Sequence, residues 1–140
     1  MSIATADSPL KVVLDTNILV SATIFGGNSK KILQKAIDGE IKAVTSKFLI
    51  AEFSDVLIKK FDSSKEQNDI IISLLSKHFL IVDPTMSVDI LADKADNRVL
   101  EAAFEAKVKF IVTGDKELLD LKEFKDIKIV SPTDFLKSGY

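Results

Sequence analysis

Cysteine and tryptophan are absent from this chain of 140 residues, and histidine and tyrosine each occur once. Without cysteine there is no disulfide, no thiolate zinc site, no iron–sulfur cluster and no thiol nucleophile. That fits a reducing compartment, and the expected location is the cytoplasm. The lone histidine, His78, is the one imidazole a Ser-His-Asp triad could use, and multi-histidine metal sites are excluded. Charge of one sign is also missing. With 19 basic and 21 acidic residues the net charge is −2, so nucleic acid would not be gripped by bulk charge, although a local basic groove stays open. No apolar run approaches the length of a membrane span, and Met1 to Pro9 lacks the basic start and apolar stretch of a signal peptide; no membrane partner is expected. Carboxylates, hydroxyls, lysines and a single arginine, Arg98, remain for chemistry. Any metal site would be oxygen-rich, which suits magnesium, manganese or calcium.

What is present is ordinary for a globular chain: 46% hydrophobic and 29% charged residues. One domain over residues 1–140 is expected, with residues 1–9 as a flexible N-terminal segment. Short apolar runs at 10–14, 41–45, 79–82, 110–113 and 127–130 read as five strands. Helical spacing occupies most of the intervals between them. The stretch from Ser29 to Asp38 ends at Gly39, Ser46 opens a helix to about Lys60, and Ser63-Ser64-Lys65-Glu66 resembles a capping box before a helix to Lys77. Residues 87–91 suggest a helical turn, and Ser131-Pro132 an N-cap with proline at the first helical position. In the helix after Asp96, Val99, Leu100, Ala103 and Phe104 share a face; Ile70, Ile71, Leu74 and Leu75 are assigned to the core, with Ile72 outside that stripe as a possible oligomer contact. Unbroken apolar strands alternating with helices predict an α/β three-layer sandwich, Rossmann-like, around a mainly parallel sheet of about five strands.

In such a sheet ligands bind beyond the carboxyl ends of the strands. Asp15 directly follows the first strand, Asp115 the fourth, and Asp96 begins the helix leading into that fourth strand. Glu52 falls inside the apolar stripe of Phe48, Leu49, Phe53 and Val56. A carboxylate written there needs a counter-charge, because burying it alone is costly. Four like charges on one edge repel, and a divalent cation reverses that penalty. Such a cluster suits hydrolysis of a phosphodiester. Thr16, Asn17, Asp93 and Thr113 stand where they could orient ligands or water from behind.

Each acid also has a plainer use. Asp15, Asp93 and Asp96 suit helix starts, and Asp115 suits a turn after Gly114. Glu52 has the weakest plain explanation. His78, at a helix end, complements the dipole rather than a metal. Lys30, Lys31, Lys59 and Lys60 read as solvated, with a phosphate track including Arg98 as the lesser alternative.

The segments Val12 to Ala22, Ala51 to Leu57, Ala95 to Ala103 and Phe110 to Leu119 closely resemble PIN-domain nucleases, and Val130 to Leu136 resembles a prokaryotic subgroup of VapC-like toxin components. The resemblance runs from about Leu10 to Leu136. It implies a magnesium- or manganese-dependent endoribonuclease with Asp15, Glu52, Asp96 and Asp115 as metal-coordinating, catalytic acids. It also implies RNA as substrate, a cognate antitoxin protein as partner, and a homodimer or higher homo-oligomer. The alternatives are an RNA-processing or flap-type nuclease without a toxin role, and a catalytically silent module that binds a cation or RNA.

Overall fold

A computed structural model describes residues 8–140; the expected flexibility of residues 1–9 falls, for residues 1–7, outside the described residues. The chain lays down β1 (Leu10–Leu14), α1 (Thr16–Ile24), α2 (Gly27–Ile37), β2 (Ile41–Ser46), α3 (Lys47–Phe61), α4 (Lys65–His78), β3 (Leu80–Val82), α5 (Lys94–Ala106), β4 (Phe110–Val112), α6 (Lys116–Leu121), β5 (Glu123–Phe124), β6 (Ile127–Val130) and α7 (Pro132–Lys137). The sheet order is β3-β2-β1-β4-β6-β5. Every pairing is parallel except β5 with β6. The α/β sandwich expected from the sequence is therefore present, with a sixth strand at one edge. That strand has two residues, too short to show an alternating pattern.

Apolar character on both faces of the central strands has a direct structural use, whereas β3, expected to be buried like the others, lies at the sheet edge and leaves Leu80 and Ile81 exposed. Val12 and Leu14 of β1 face one core with Ile18, Leu19, Ile32, Phe53 and Phe135, while Val13 faces the other with Val99, Leu100, Ala103 and Leu118. Phe110 and Val112 of β4 split from Ile111 in the same way. Period-two side chains in strands covered on both sides require this division.

Helix boundaries follow local chemistry. Gly39, at φ 81°, takes the left-handed position after α2. Ser131 Oγ accepts from the Asp134 N–H at 3.1 Å, with Pro132 at the first helical position. The capping box before α4 lies one residue later than the sequence suggested: Ser64 Oγ accepts from Gln67 N at 3.1 Å, and Gln67 Oε1 accepts from Ser64 N at 2.9 Å. Glutamine closes the box as well as glutamate does.

Three other expectations fail. Residues 87–91 form no helical turn. Their backbone is held by side chains of α5 instead: Asn97 Oδ1 accepts from Ile90 and Leu91, and Asn97 Nδ2 donates to the Leu91 carbonyl. Ile70 and Leu74 lie outside the core, 71% and 43% exposed, because α4 meets the body along the side that carries Asn68, Ile71 and Leu75. Phe104 is also exposed, and Lys125 Nζ sits 5.7 Å from its ring centroid.

Candidate active site

The strand order reverses direction between β1 and β4, since β2 lies on one side of β1 and β4 on the other. At such a switch point the loops leaving neighbouring strands part and open a crevice. Asp15 leaves β1 there, and its N–H continues the ladder by donating to Val112 O at 3.0 Å. Thr113 and Asp115 leave β4 alongside it. Asp96 enters from the first turn of α5, whose N-terminus is at the same edge, and Glu52 from the middle of α3. All four carboxylates line one cavity of about 540 Å³. Asp93, Thr16 and Asn17 line it too.

The plainer uses coexist with this placement. Asp15 caps α1, its Oδ1 accepting from Thr16 N at 2.7 Å. Asp115 caps α6, its Oδ2 accepting from Leu118 N at 3.0 Å. Asp93 caps α5 through Ala95 N at 2.9 Å. A cap uses one oxygen of a carboxylate and aims the other. In Asp15 the second oxygen accepts from the Thr113 hydroxyl at 2.6 Å. The same Thr113 Oγ1 accepts from Asp115 N at 3.0 Å, so one buried threonine joins the two acids. Asn17 Oδ1 receives the Gly114 N–H at 3.4 Å and ties the two loops together.

Burial lifts the Asp15 carboxyl from its ordinary 3.8 to about 6, against the lowering effect of the Thr113 and Thr16 hydrogen bonds; Glu52 and Asp115 raise it further by charge repulsion. Asp96 is pushed up to about 7. Burial is again the main cause, followed by the neighbouring Asp115 carboxylate and then by the charges of Asp93 and Asp15. Asp96 is 7% exposed, and its Oδ2 is buried without a hydrogen-bond partner.

These features fit a hard divalent cation: the donors are all oxygen, they repel one another, and one buried oxygen is unmet. The fit is incomplete as the side chains stand. Among the described residues, no group of three or more histidine, cysteine, aspartate or glutamate side chains is gathered into a ready metal cage.

Of the other end of the cavity the sequence pointed to Lys60 alone, as the lesser reading of a phosphate track. Phe25, Lys60 and Phe61 share its lining with the acids. The available signal was an aromatic residue immediately before Gly26-Gly27, in what reads as a plain connection. Arg98, assigned above to a possible phosphate track, is elsewhere and engaged, 2.8 Å from Glu101 Oε2 and donating to Val88 O at 2.9 Å. Lys59 is exposed and 3.1 Å from Asp55. His78 ends α4, and its carbonyl accepts from Lys42 Nζ at 3.3 Å.

Comparison with known proteins agrees with this architecture. An uncharacterized protein of Methanocaldococcus jannaschii, MJ1680, is 27% identical over 141 aligned positions, covering 91% of this chain and 90% of the relative. In fold the chain is similar to VapBC2 from Rickettsia felis, solved bound to a DNA fragment from its promoter, at TM-score 0.62 and 16% identity, covering 87% of this chain and 98% of that one. It is similar to FitAcB from Neisseria gonorrhoeae at TM-score 0.55, with the same identity and coverage. The PIN domain endonuclease Utp24 follows at TM-score 0.52 and 19% identity, covering 89% of this chain and 86% of that one. The family model described as PIN domain matches residues 11–117, from β1 through both acid-bearing loops, and on that match the chain belongs to the PIN domain family of nucleases.

Proposed function

We propose that this protein is a divalent-metal-dependent endoribonuclease, with Asp15, Glu52, Asp96 and Asp115 as its catalytic acids, and that it serves as the toxin half of a type II toxin–antitoxin pair. The observation that carries the proposal is the single cavity shared by four carboxylates from β1, α3, α5 and the β4–α6 loop, one of which holds a buried oxygen with no donor. The four acids would hold magnesium or manganese. Such an ion, when bound, supplies positive charge that stabilises the developing phosphate oxyanion and makes water more acidic.

The chain's own part is to hold the acids. Thr16 N–H and the Thr113 hydroxyl fix both oxygens of Asp15, and Leu118 N–H fixes one oxygen of Asp115. These contacts leave Asp15 and Asp115 little freedom to turn away, the kind of fixed positioning that in-line phosphodiester cleavage needs. Water attacks phosphorus, the bond to the 3′ oxygen breaks, and that oxygen leaves with a proton. The products are a 5′-phosphate and a 3′-hydroxyl.

The toxin role rests on the sequence resemblance to VapC-like proteins and agrees with the fold likeness to VapBC2 and FitAcB. It implies an antitoxin protein partner, a homodimer or larger homo-oligomer, and action in the cytoplasm. Among the described residues no helix is long and apolar enough to cross a membrane.

The test is cleavage of a defined RNA panel in manganese by the wild type and by Glu52→Gln. Cleavage that disappears with chelator and in the variant is expected. Equal cleavage by both proteins overturns the acid assignment, and manganese binding without turnover turns the protein into a cation-binding module. Growth arrest on expression, relieved by Asp115→Asn, separates a toxin from an RNA-processing or flap-type nuclease.

A further inference from the structure

An exposed phenylalanine at the rim of a carboxylate cavity needs a reason. Phe25 is 74% exposed, the most exposed of the large hydrophobic residues described. Its backbone is not loose: the Phe25 and Gly26 N–H groups both donate to Ser21 O at 2.8 Å. Gly26 and Gly27 follow at φ 87° and 63°, values an L side chain resists. The chain therefore reverses immediately after Phe25, and α2 begins with the ring left outside. Phe61 supports it from one side, with ring centroids 5.9 Å apart and planes at 77°. Among the described residues Lys60 is the one cation lining the cavity. It is exposed and, among the described residues, has no salt bridge, unlike its neighbour Lys59.

We propose that Phe25, braced by Phe61 beside Lys60, is a nucleobase-stacking platform that restricts the cavity to single-stranded nucleic acid. This rests on the nuclease reading. A phosphate at the carboxylate end places a flanking nucleotide toward the aromatic end. An aromatic ring takes the flat face of any unstacked base, whereas a base inside a duplex has both faces occupied. Lys60 answers the phosphate of that flanking nucleotide, in a cavity that otherwise repels it.

The experiment uses a short single-stranded oligoribonucleotide carrying 2-aminopurine, read by fluorescence on binding in calcium and by steady-state cleavage in manganese. The wild type quenches the probe. Phe25→Ala removes the quench and raises KM about tenfold, as expected for one lost base–aromatic stack, with kcat unchanged. Phe25→Trp restores both readouts and Phe25→Leu neither, which separates stacking from simple apolar contact. An abasic spacer in place of the base makes wild type and Phe25→Ala equal. Lys60→Gln weakens base-containing and abasic strands alike and lowers the salt slope of binding by about 0.7.

An unchanged quench and KM in Phe25→Ala, or full rescue by leucine, overturns the platform and assigns Phe25 to a protein surface. Failure of the wild type to cut any strand overturns the nuclease reading instead; the quench and its dependence on Phe25 still decide the stacking question. A DNA strand of the same sequence shows whether the platform accepts both sugars.

Discussion

Asp96 and Glu101 stand on the same helix, α5, and are almost equally hidden, at 7% and 8% exposure. Their surroundings are opposite. Glu101 Oε2 accepts from Val88 N at 2.8 Å and lies 2.8 Å from the Arg98 guanidinium. It closes the loop that precedes α5, and its charge is answered within the chain. Asp96 has an oxygen with no donor, and its neighbours are Asp115, Asp93 and Asp15. Burial alone therefore does not mark a chemical site. What separates the two acids is whether the fold supplies the donors that a buried carboxylate needs. Glu101 is a structural tie, while Asp96 keeps a buried oxygen without a donor among the described residues.

The largest effect is expected on the unanswered side. Asp15→Asn or Asp115→Asn should lower RNA cleavage by roughly a thousandfold or more, about 4 kcal/mol of barrier, while thermal melting shows the fold intact. Full activity in either variant would place the chemistry elsewhere.

On the answered side the effect should be on stability. Glu101→Ala leaves Arg98 without its counter-charge and the Val88 N–H without its acceptor, and should cost about 3 kcal/mol in denaturant unfolding, as breaking a buried pair does. Cleavage per folded molecule should persist. A cost as small as that of a surface ion pair would erase the contrast between the two acids.

Asp96→Asn should have the opposite sign. Removing a buried, repelled charge is expected to stabilise the metal-free protein at pH 8 by about 1–2 kcal/mol, even as cleavage is lost. Destabilisation instead would mean that Asp96 is a structural tie like Glu101.

The pH dependence follows from the same imbalance. Asp15 and Asp96 hold protons in the folded state up to about 6 and 7, but in the unfolded chain only near 3.8. Between these values the folded protein binds more protons, so the stability owed to these groups is greatest in acid and declines as pH rises through the folded values. Melting of the metal-free protein should show that decline, by about 1 kcal/mol or more, and Asp96→Asn should flatten it. Manganese should reverse it at neutral pH, since a ligand that binds only the folded state stabilises that state.

Much of this was legible in the residues. β1 and β4 announce themselves as apolar runs ended by Asp15 and Thr113-Gly114-Asp115, and Glu52 stands out because helical periodicity puts a carboxylate among Leu49, Phe53 and Val56. Residues 87–91 misled because Asn97 and Glu101 satisfy that backbone from another element. Ile70 and Leu74 misled because an apolar stripe states that a surface can be covered, not that it is. Phe25 was passed over because its importance lies in standing beside Phe61, which a connecting loop in the sequence cannot show.

From the sequence alone follow most of the elements, the burial of both faces of the central strands, most caps, and an oxygen-only set of candidate ligands. These depend on residue type and on neighbours within a turn or two. The tertiary structure alone decided which carboxylates are answered. Thr113 reaches Asp15 across 98 residues of chain, Val88 meets Glu101 across 13, and Asp96 Oδ2 finds no hydrogen-bond partner among the described residues. A hydrogen bond depends on distance and direction in space, which only the folded chain provides.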